Sequence, residues 1–167
     1  AKVMVQFSPT KPIDMDKQRT YNLGYLFLQQ IYYALGLPKI CEEITQKHQY
    51  EFDLNSVLSR LVYGRILFPA SKLSTYKLSS NFLEKPGFEL QHVYRALEVI
   101  AKETDFIQAQ LYKNSLKLSK RNSWILYYDC TNYFFEIEQE DGIKQYGASK
   151  EHRPNPIVQM GLFMDGD

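Results

Sequence analysis

Trp124-Ile125-Leu126-Tyr127-Tyr128-Asp129-Cys130-Thr131-Asn132-Tyr133-Phe134-Phe135-Glu136-Ile137 is the stretch that divides the chain. Its first five residues form an unbroken apolar run of strand formers, the pattern expected of a strand covered on both faces. Tyr133, Phe135 and Ile137 then recur at every second position, the period of a pleated strand. A polar loop over 138–156 leads to a second strand-like run, Ile157-Val158-Gln159-Met160-Gly161-Leu162-Phe163-Met164. Asp165-Gly166-Asp167 has hairpin-turn chemistry, and the sequence ends there in the middle of a sheet. Upstream of about residue 120 the period is helical. The expected fold class is therefore α+β, with helices first and strands after.

The helical part is punctuated by its caps and breakers. From Tyr21, Leu23, Phe27, Ile31 and Leu35 recur at near-helical intervals, with Leu28 and Tyr32 widening the stripe and Gly36 as the stop. Pro38 opens a second helix to about Lys47, and Asp53 caps a third with Leu54, Val57, Leu58, Leu61 and Val62 on one face. Pro69 ends it, and Ser71 caps a fourth that runs to about Phe82. Pro86-Gly87 turns the chain into a fifth helix holding Val93, Tyr94, Leu97 and Ile100. Thr104 or Asp105 begins a sixth with Phe106, Ile107, Leu111, Leu116 and Leu118 apolar. Residues 1–20 form an extended lead-in in which Val3, Val5 and Phe7 alternate before Pro9 and Pro12. The expected organisation is lead-in 1–20, a helical and candidate DNA-binding domain 21–120, and the opening of a β-containing domain 121–167.

Composition narrows the function classes. With 13 Tyr and 10 Phe the chain has apolar area to bury, which argues against disorder. Its 20 basic and 19 acidic residues nearly cancel, so any contact with nucleic acid must come from local patches. Cys41 and Cys130 form no CxxC pair, and with His48, His92 and His152 they show no zinc spacing. Unpaired cysteines suit a reducing cytoplasm. Residues 21–37 are interrupted by Asn22, Gly24, Gln29, Gln30 and Gly36, too polar for a membrane span and without signal-peptide flanks, so a soluble protein with no membrane partner is expected.

Four groups of residues are candidates for chemistry. Asp129 follows five apolar residues, where a carboxylate is costly to bury unless hydrogen-bonded, paired or metal-bound. On this segment alone a second reading stands beside the functional one, in which Asp129, Thr131 and Asn132 bond to nearby backbone and shape a bend or bulge. Lys150, His152 and Arg153 lie close together in a proline-stiffened loop, either as phosphate contacts or as a solvated charged loop. The helix pair joined by Phe68-Pro69-Ala70-Ser71 is either a packing unit or a helix-turn-helix with Lys72, Thr75, Tyr76 and Lys77 on its reading face. Glu136, Glu138, Glu140 and Asp141 read as a solvated acidic face, and Asp165 and Asp167 as turn formers. His48 and His92 have no partner pattern.

The segment 124–137, taken with Tyr146-Gly147-Ala148-Ser149-Lys150-Glu151-His152-Arg153-Pro154-Asn155-Pro156-Ile157-Val158-Gln159-Met160-Gly161-Leu162, closely resembles the start of the catalytic domain of insertion-sequence transposases. The similarity is to the IS4-type group of DDE transposases, and within it to the IS1634-like branch. Arg65-Ile66-Leu67-Phe68-Pro69-Ala70-Ser71-Lys72 and Tyr94-Arg95-Ala96-Leu97 also resemble the helical region of those proteins. The resemblance implies an RNase H-like domain in which Asp129 is the first member of an Asp-Asp-Glu triad. It further implies catalysis with Mg²⁺ or Mn²⁺, and DNA as partner, both terminal inverted repeats and target DNA, in a cytoplasmic protein acting at the nucleoid. The reaction would be phosphodiester hydrolysis followed by strand transfer. Where relatives often carry Asp, this chain has Asn155.

On this reading the other two triad carboxylates fall beyond residue 167, and the chain is an inactive N-terminal fragment that binds no metal by itself. Its unfinished sheet edge is expected to drive self-association near 157–165. Two alternatives remain, a non-catalytic helical module that binds DNA or protein, and another RNase H-like nuclease.

Overall fold

The computed structural model describes residues 20–120, 122, 124–148, 152 and 154–165. The lead-in strand, Lys150, Arg153, Gly166 and Asp167 lie outside the described residues. Among the described residues six helices precede a two-stranded antiparallel sheet, an α+β fold. The helices are α1 (Tyr25–Ala34), α2 (Leu37–Lys47), α3 (Leu54–Leu67), α4 (Lys72–Ser79), α5 (Leu90–Lys102) and α6 (Thr104–Leu118). The strands are β1 (Leu126–Phe134) and β2 (Ile157–Asp165). Two compact units, residues 1–114 and 115–167, divide within α6. Among the described residues no helix is long and apolar enough to cross a membrane.

Local chemistry sets the helix limits. Gly36 separates α1 from α2 with φ of 71°, the left-handed region that favours glycine, and Pro38 sits in the first turn of α2. Asp53 caps α3 by accepting a hydrogen bond from Ser56 N at 3.1 Å, and Ser71 caps α4 by accepting one from Ser74 N at 3.2 Å. At α5 the capping box uses an unusual pair: the Glu89 side chain accepts from the His92 backbone, and Glu89 N donates to His92 Nδ1 at 3.1 Å.

The helical unit packs around aromatic rings. Tyr25 stacks on Phe82 with centroids 4.4 Å apart, and Tyr63 lies 5.6 Å from both Tyr25 and Tyr32. Ile44, Leu54, Val57, Val93 and Ala96 complete the buried centre. The buried phenols keep partners, Tyr25 donating to Glu84 at 2.7 Å and Tyr32 to Asn55 at 2.9 Å. Burial, helped by the Glu84 carboxylate, pushes the Tyr25 hydroxyl up to about 12. Cys41 and Cys130 are both free thiols, and burial raises Cys41 to about 11.

The expected stripe on α1 is corrected by the fold. Leu23, Phe27 and Ile31 are exposed, Phe27 by 80%, while Tyr25 and Tyr32 are the buried residues. Apolar side chains ring this short helix almost completely, so its period leaves the inward face open. The aromatic partners Tyr63 and Phe82, far along the chain, select the face that carries Tyr25 and Tyr32. Tyr94, Leu116 and Leu118 are also exposed.

α3 and α4 cross where α3 has no side chain. A Cβ at Gly64 would lie 2.5 Å from Thr75 Cγ2, and both residues are buried. Thr75 is β-branched and held in a helix, so it has little rotamer freedom with which to yield. Gly64→Ala is therefore expected to destabilise the unit by about 1–3 kcal/mol despite alanine's better helix propensity. Urea unfolding measures this, and a stabilised Gly64→Ala chain would show that the helices separate freely.

Helix α2 is tied to the α5–α6 junction by Glu103. Its carboxylate lies 2.8 Å from His48 Nε2 and 3.2 Å from Lys47 Nζ, and Lys47 also sits 3.9 Å over the Phe106 ring. The His48 hydrogen bond above all holds the Glu103 carboxyl below its ordinary range; burial opposes it, and Lys47 adds to the lowering. A carboxyl depressed in the folded state stabilises above its unfolded pKa, and that contribution is lost as pH falls through the folded value. Glu103→Gln should lower stability near neutral pH, with the difference closing as pH drops below about 4.3. Melts across that window test it; a constant difference would exclude the mechanism.

Candidate functional site

Strand β1 runs straight through Asp129. Each residue from Leu126 to Phe134 pairs in regular antiparallel register, Asp129 with Leu162 and Cys130 with Gly161. Trp124 and Ile125 precede the strand, so Asp129 is the fourth of nine strand residues and shapes no bend or bulge. This removes the turn-forming reading of Asp129, because an unbroken ladder on both sides leaves no room for an extra residue.

Pleating separates two faces. Tyr127, Asp129, Thr131 and Tyr133 share one with Met164, Leu162, Met160 and Val158 of β2. Leu126, Tyr128, Cys130 and Phe134 share the other with Phe163, Gly161 and Ile157. Tyr128 packs at a tilt against Phe163 with centroids 4.6 Å apart, and its ring closely overlies Gly161, where an added Cβ would lie 2.8 Å from Cε2. Cys130 Sγ donates to Tyr128 Oη at 2.9 Å.

The expectation of a strand covered on both faces is not met among the described residues. Tyr127 and Leu162 on one face and Tyr128 and Phe163 on the other are each at least half exposed, and Trp124 is 96% exposed. Asp129 is exposed too. Only the base of the sheet is closed, where Ile157 exchanges backbone hydrogen bonds with Gln145 and is 4% exposed. A two-stranded sheet gains too few cross-strand contacts to cover its own side chains.

The remaining candidates are scattered. His152 is exposed with φ of 50°. Asn155 Nδ2 donates to Ile137 O at 3.3 Å, tying the loop to the chain just past β1. In the acidic group Asp141 pairs with Lys144 at 3.3 Å, and Glu140 accepts from Tyr146 N at 2.8 Å. Neither residue belongs to β1. Among the described residues no group of three His, Cys, Asp or Glu side chains could hold a metal ion.

In the helical unit Lys77 is exposed and Lys72 half-buried. Thr75 and Tyr76 do not line a reading face: Thr75 is 5% exposed, and Tyr76 packs against the core. Sequence reasoning missed Arg60, which is 8% exposed and donates to Ser59 Oγ at 3.1 Å and Glu84 O at 3.0 Å. Its Nε is buried without a partner. An arginine inside an apolar helical stretch was the available signal. It also missed the structural roles of His48 and His92, whose partners lie across a helix junction or at a cap.

Compared with known proteins, the chain matches no family model, no curated protein and no solved structure.

Proposed function

We propose that the chain carries the opening strands of an RNase H-like catalytic domain of a DDE transposase, with Asp129 as the first metal-binding carboxylate. The complete polypeptide would cleave element ends and transfer the strands into target DNA by metal-dependent phosphodiester chemistry, with Mg²⁺ or Mn²⁺. It would do so in the cytoplasm, at the nucleoid. The supporting observation is the place of Asp129, a carboxylate at mid-strand on a mostly apolar face shared with Tyr127, Thr131, Tyr133, Val158, Met160, Leu162 and Met164. Asp is a poor strand former, and an acid amid such residues is tolerated once covered only if a cation or hydrogen bonds offset its desolvation. The likeness of segments 124–137 and 146–162 to insertion-sequence transposases supports the same reading.

The residues described do not by themselves make a Mg²⁺ centre. That ion takes near-octahedral oxygen coordination, and Asp129 supplies one side chain. The reading therefore requires a second Asp and a Glu from polypeptide outside residues 1–167. Sequencing the reading frame past Asp167 tests this. The expected result is a further strand, then an Asp, then a Glu on a helix. A stop codon directly after Asp167 would overturn the assignment, as would a continuation without such carboxylates.

A further inference from the structure

Residues 20–38 contain no Asp, Glu, Lys, Arg or His, in a chain of which 23% is charged. At that average about four charges would fall in such a stretch. Helix α1 occupies its middle. A helix without charge, and apolar around most of its circumference, has the composition of one buried on all sides. Among the described residues only one side of α1 is covered, where Tyr25 and Tyr32 meet Tyr63 and Phe82.

The opposite side is open. At about 100° per residue, Phe27, Gln30, Ile31 and Ala34 fall within an arc of about 100°, facing away from Tyr25 and Tyr32. All four are exposed, Phe27 by 80% and Ile31 by 56%. Phe27 alone offers about 160 Å² of ring, and the four together roughly 300–400 Å². A patch of that size matches the largest on a typical monomer, which is often functional.

The face is complementary to itself. Two copies of α1 set antiparallel about a twofold axis between Gln30 and Ile31 bring Phe27 opposite the second copy's Ala34, and Gln30 opposite its Ile31. The largest side chain on the face thus meets the smallest, twice, and the axes can approach to the ~8–10 Å of packed helices. Gln30 carries both donors and an acceptor, so its amide can bond to its own copy across the axis. With no charged side chain on α1, no like charges meet there. A different protein is steered and selected largely by complementary charge, and this face has none to offer.

We propose that the exposed face of α1 is the interface of a homodimer, in which α1 packs antiparallel on α1 of a second copy. The four residues of each copy together bury about 600–800 Å², below the ~1,200 Å² at which stable interfaces begin, so the dimer is reversible and forms at micromolar concentration. The contact involves neither the sheet nor Asp129.

Sedimentation equilibrium of the chain from about 1 to 300 µM tests this. The expected result is a monomer–dimer equilibrium. Phe27→Ala, Ile31→Glu and Gln30→Lys should each weaken the dimer tenfold or more. The circular dichroism and urea midpoint of each should be unchanged, because these side chains lie outside the buried centre. Mixing the Gln30→Lys and Ile31→Glu chains should restore a dimer at least tenfold tighter than either forms alone, since the antiparallel register sets the two new charges face to face. If Ile31→Glu unfolds, Phe27→Ala and Gln30→Lys decide the case. A monomer throughout the range would overturn the proposal, and so would a dimer that Phe27→Ala and Gln30→Lys leave intact. A mixture of folded chains no tighter than its components would overturn it as well.

Discussion

Tyr25→Ala is expected to remove about 3–5 kcal/mol from the stability of the helical unit, the range for deleting a large buried ring. Tyr25 is fully buried, stacks on Phe82 and touches Tyr63, and so joins α1 to α3 and to the segment after α4. Its removal leaves a ring-sized hole bounded by two other aromatic rings, which small shifts cannot fill. Tyr25→Phe separates the two parts of the effect. It loses only the 2.7 Å hydrogen bond to Glu84, whose side chain is 55% exposed and can turn to water, so about 0.5–1.5 kcal/mol is expected. Urea and thermal unfolding of the two variants give the comparison, with Tyr25→Ala lowering Tm by more than about 10 °C. If Tyr25→Ala cost no more than Tyr25→Phe, the aromatic centre would not hold these helices together.

Asp129→Asn is expected to abolish DNA cleavage by the polypeptide of the complete reading frame, by about a thousandfold or more. The basis is the several kcal/mol that a bound divalent cation contributes to a phosphoryl transition state, at tenfold in rate for each 1.36 kcal/mol. Asn keeps the size of the side chain and removes the charge, and the position is exposed in this chain, so stability should change by no more than about 0.5 kcal/mol. Thus the same protein should fold as before and fail to cut. Cleavage of an end-containing duplex with Mg²⁺ and with Mn²⁺ measures it. Activity within tenfold of the unsubstituted protein would remove Asp129 from the site. The 167-residue chain alone should leave DNA intact with either metal, since among the described residues no group of three His, Cys, Asp or Glu side chains could hold such an ion.

Much of the local architecture was legible in the sequence. Asp53 and Ser71 cap the helices they precede, and Gly36 with Pro38 marks the α1–α2 break. The change of period near residue 120 does separate helices from a strand pair. Each of these signals acts within one turn of helix or along one strand. Asp129 was recognisable as a candidate, yet its setting was read too locally. Its neighbours Thr131 and Asn132 left a bend or bulge open at this point, whereas pairing with β2 carries the strand straight through to Phe134.

The sequence by itself determined where elements start and stop and that helices precede strands, because caps, left-handed glycines and side-chain period act between near neighbours. Tertiary structure alone decided which faces are buried. Tyr25 and not Phe27 turns inward because Phe82 and Glu84 wait some 59 positions away, and Thr75 is lost to any partner because Gly64 lets α3 press against it. It decided as well that Asp129 stands at mid-strand among apolar neighbours supplied by β2, a setting made by pairing between residues more than thirty positions apart. Such contacts depend on chain segments meeting in space, and side-chain period constrains them only to a face, never to a partner.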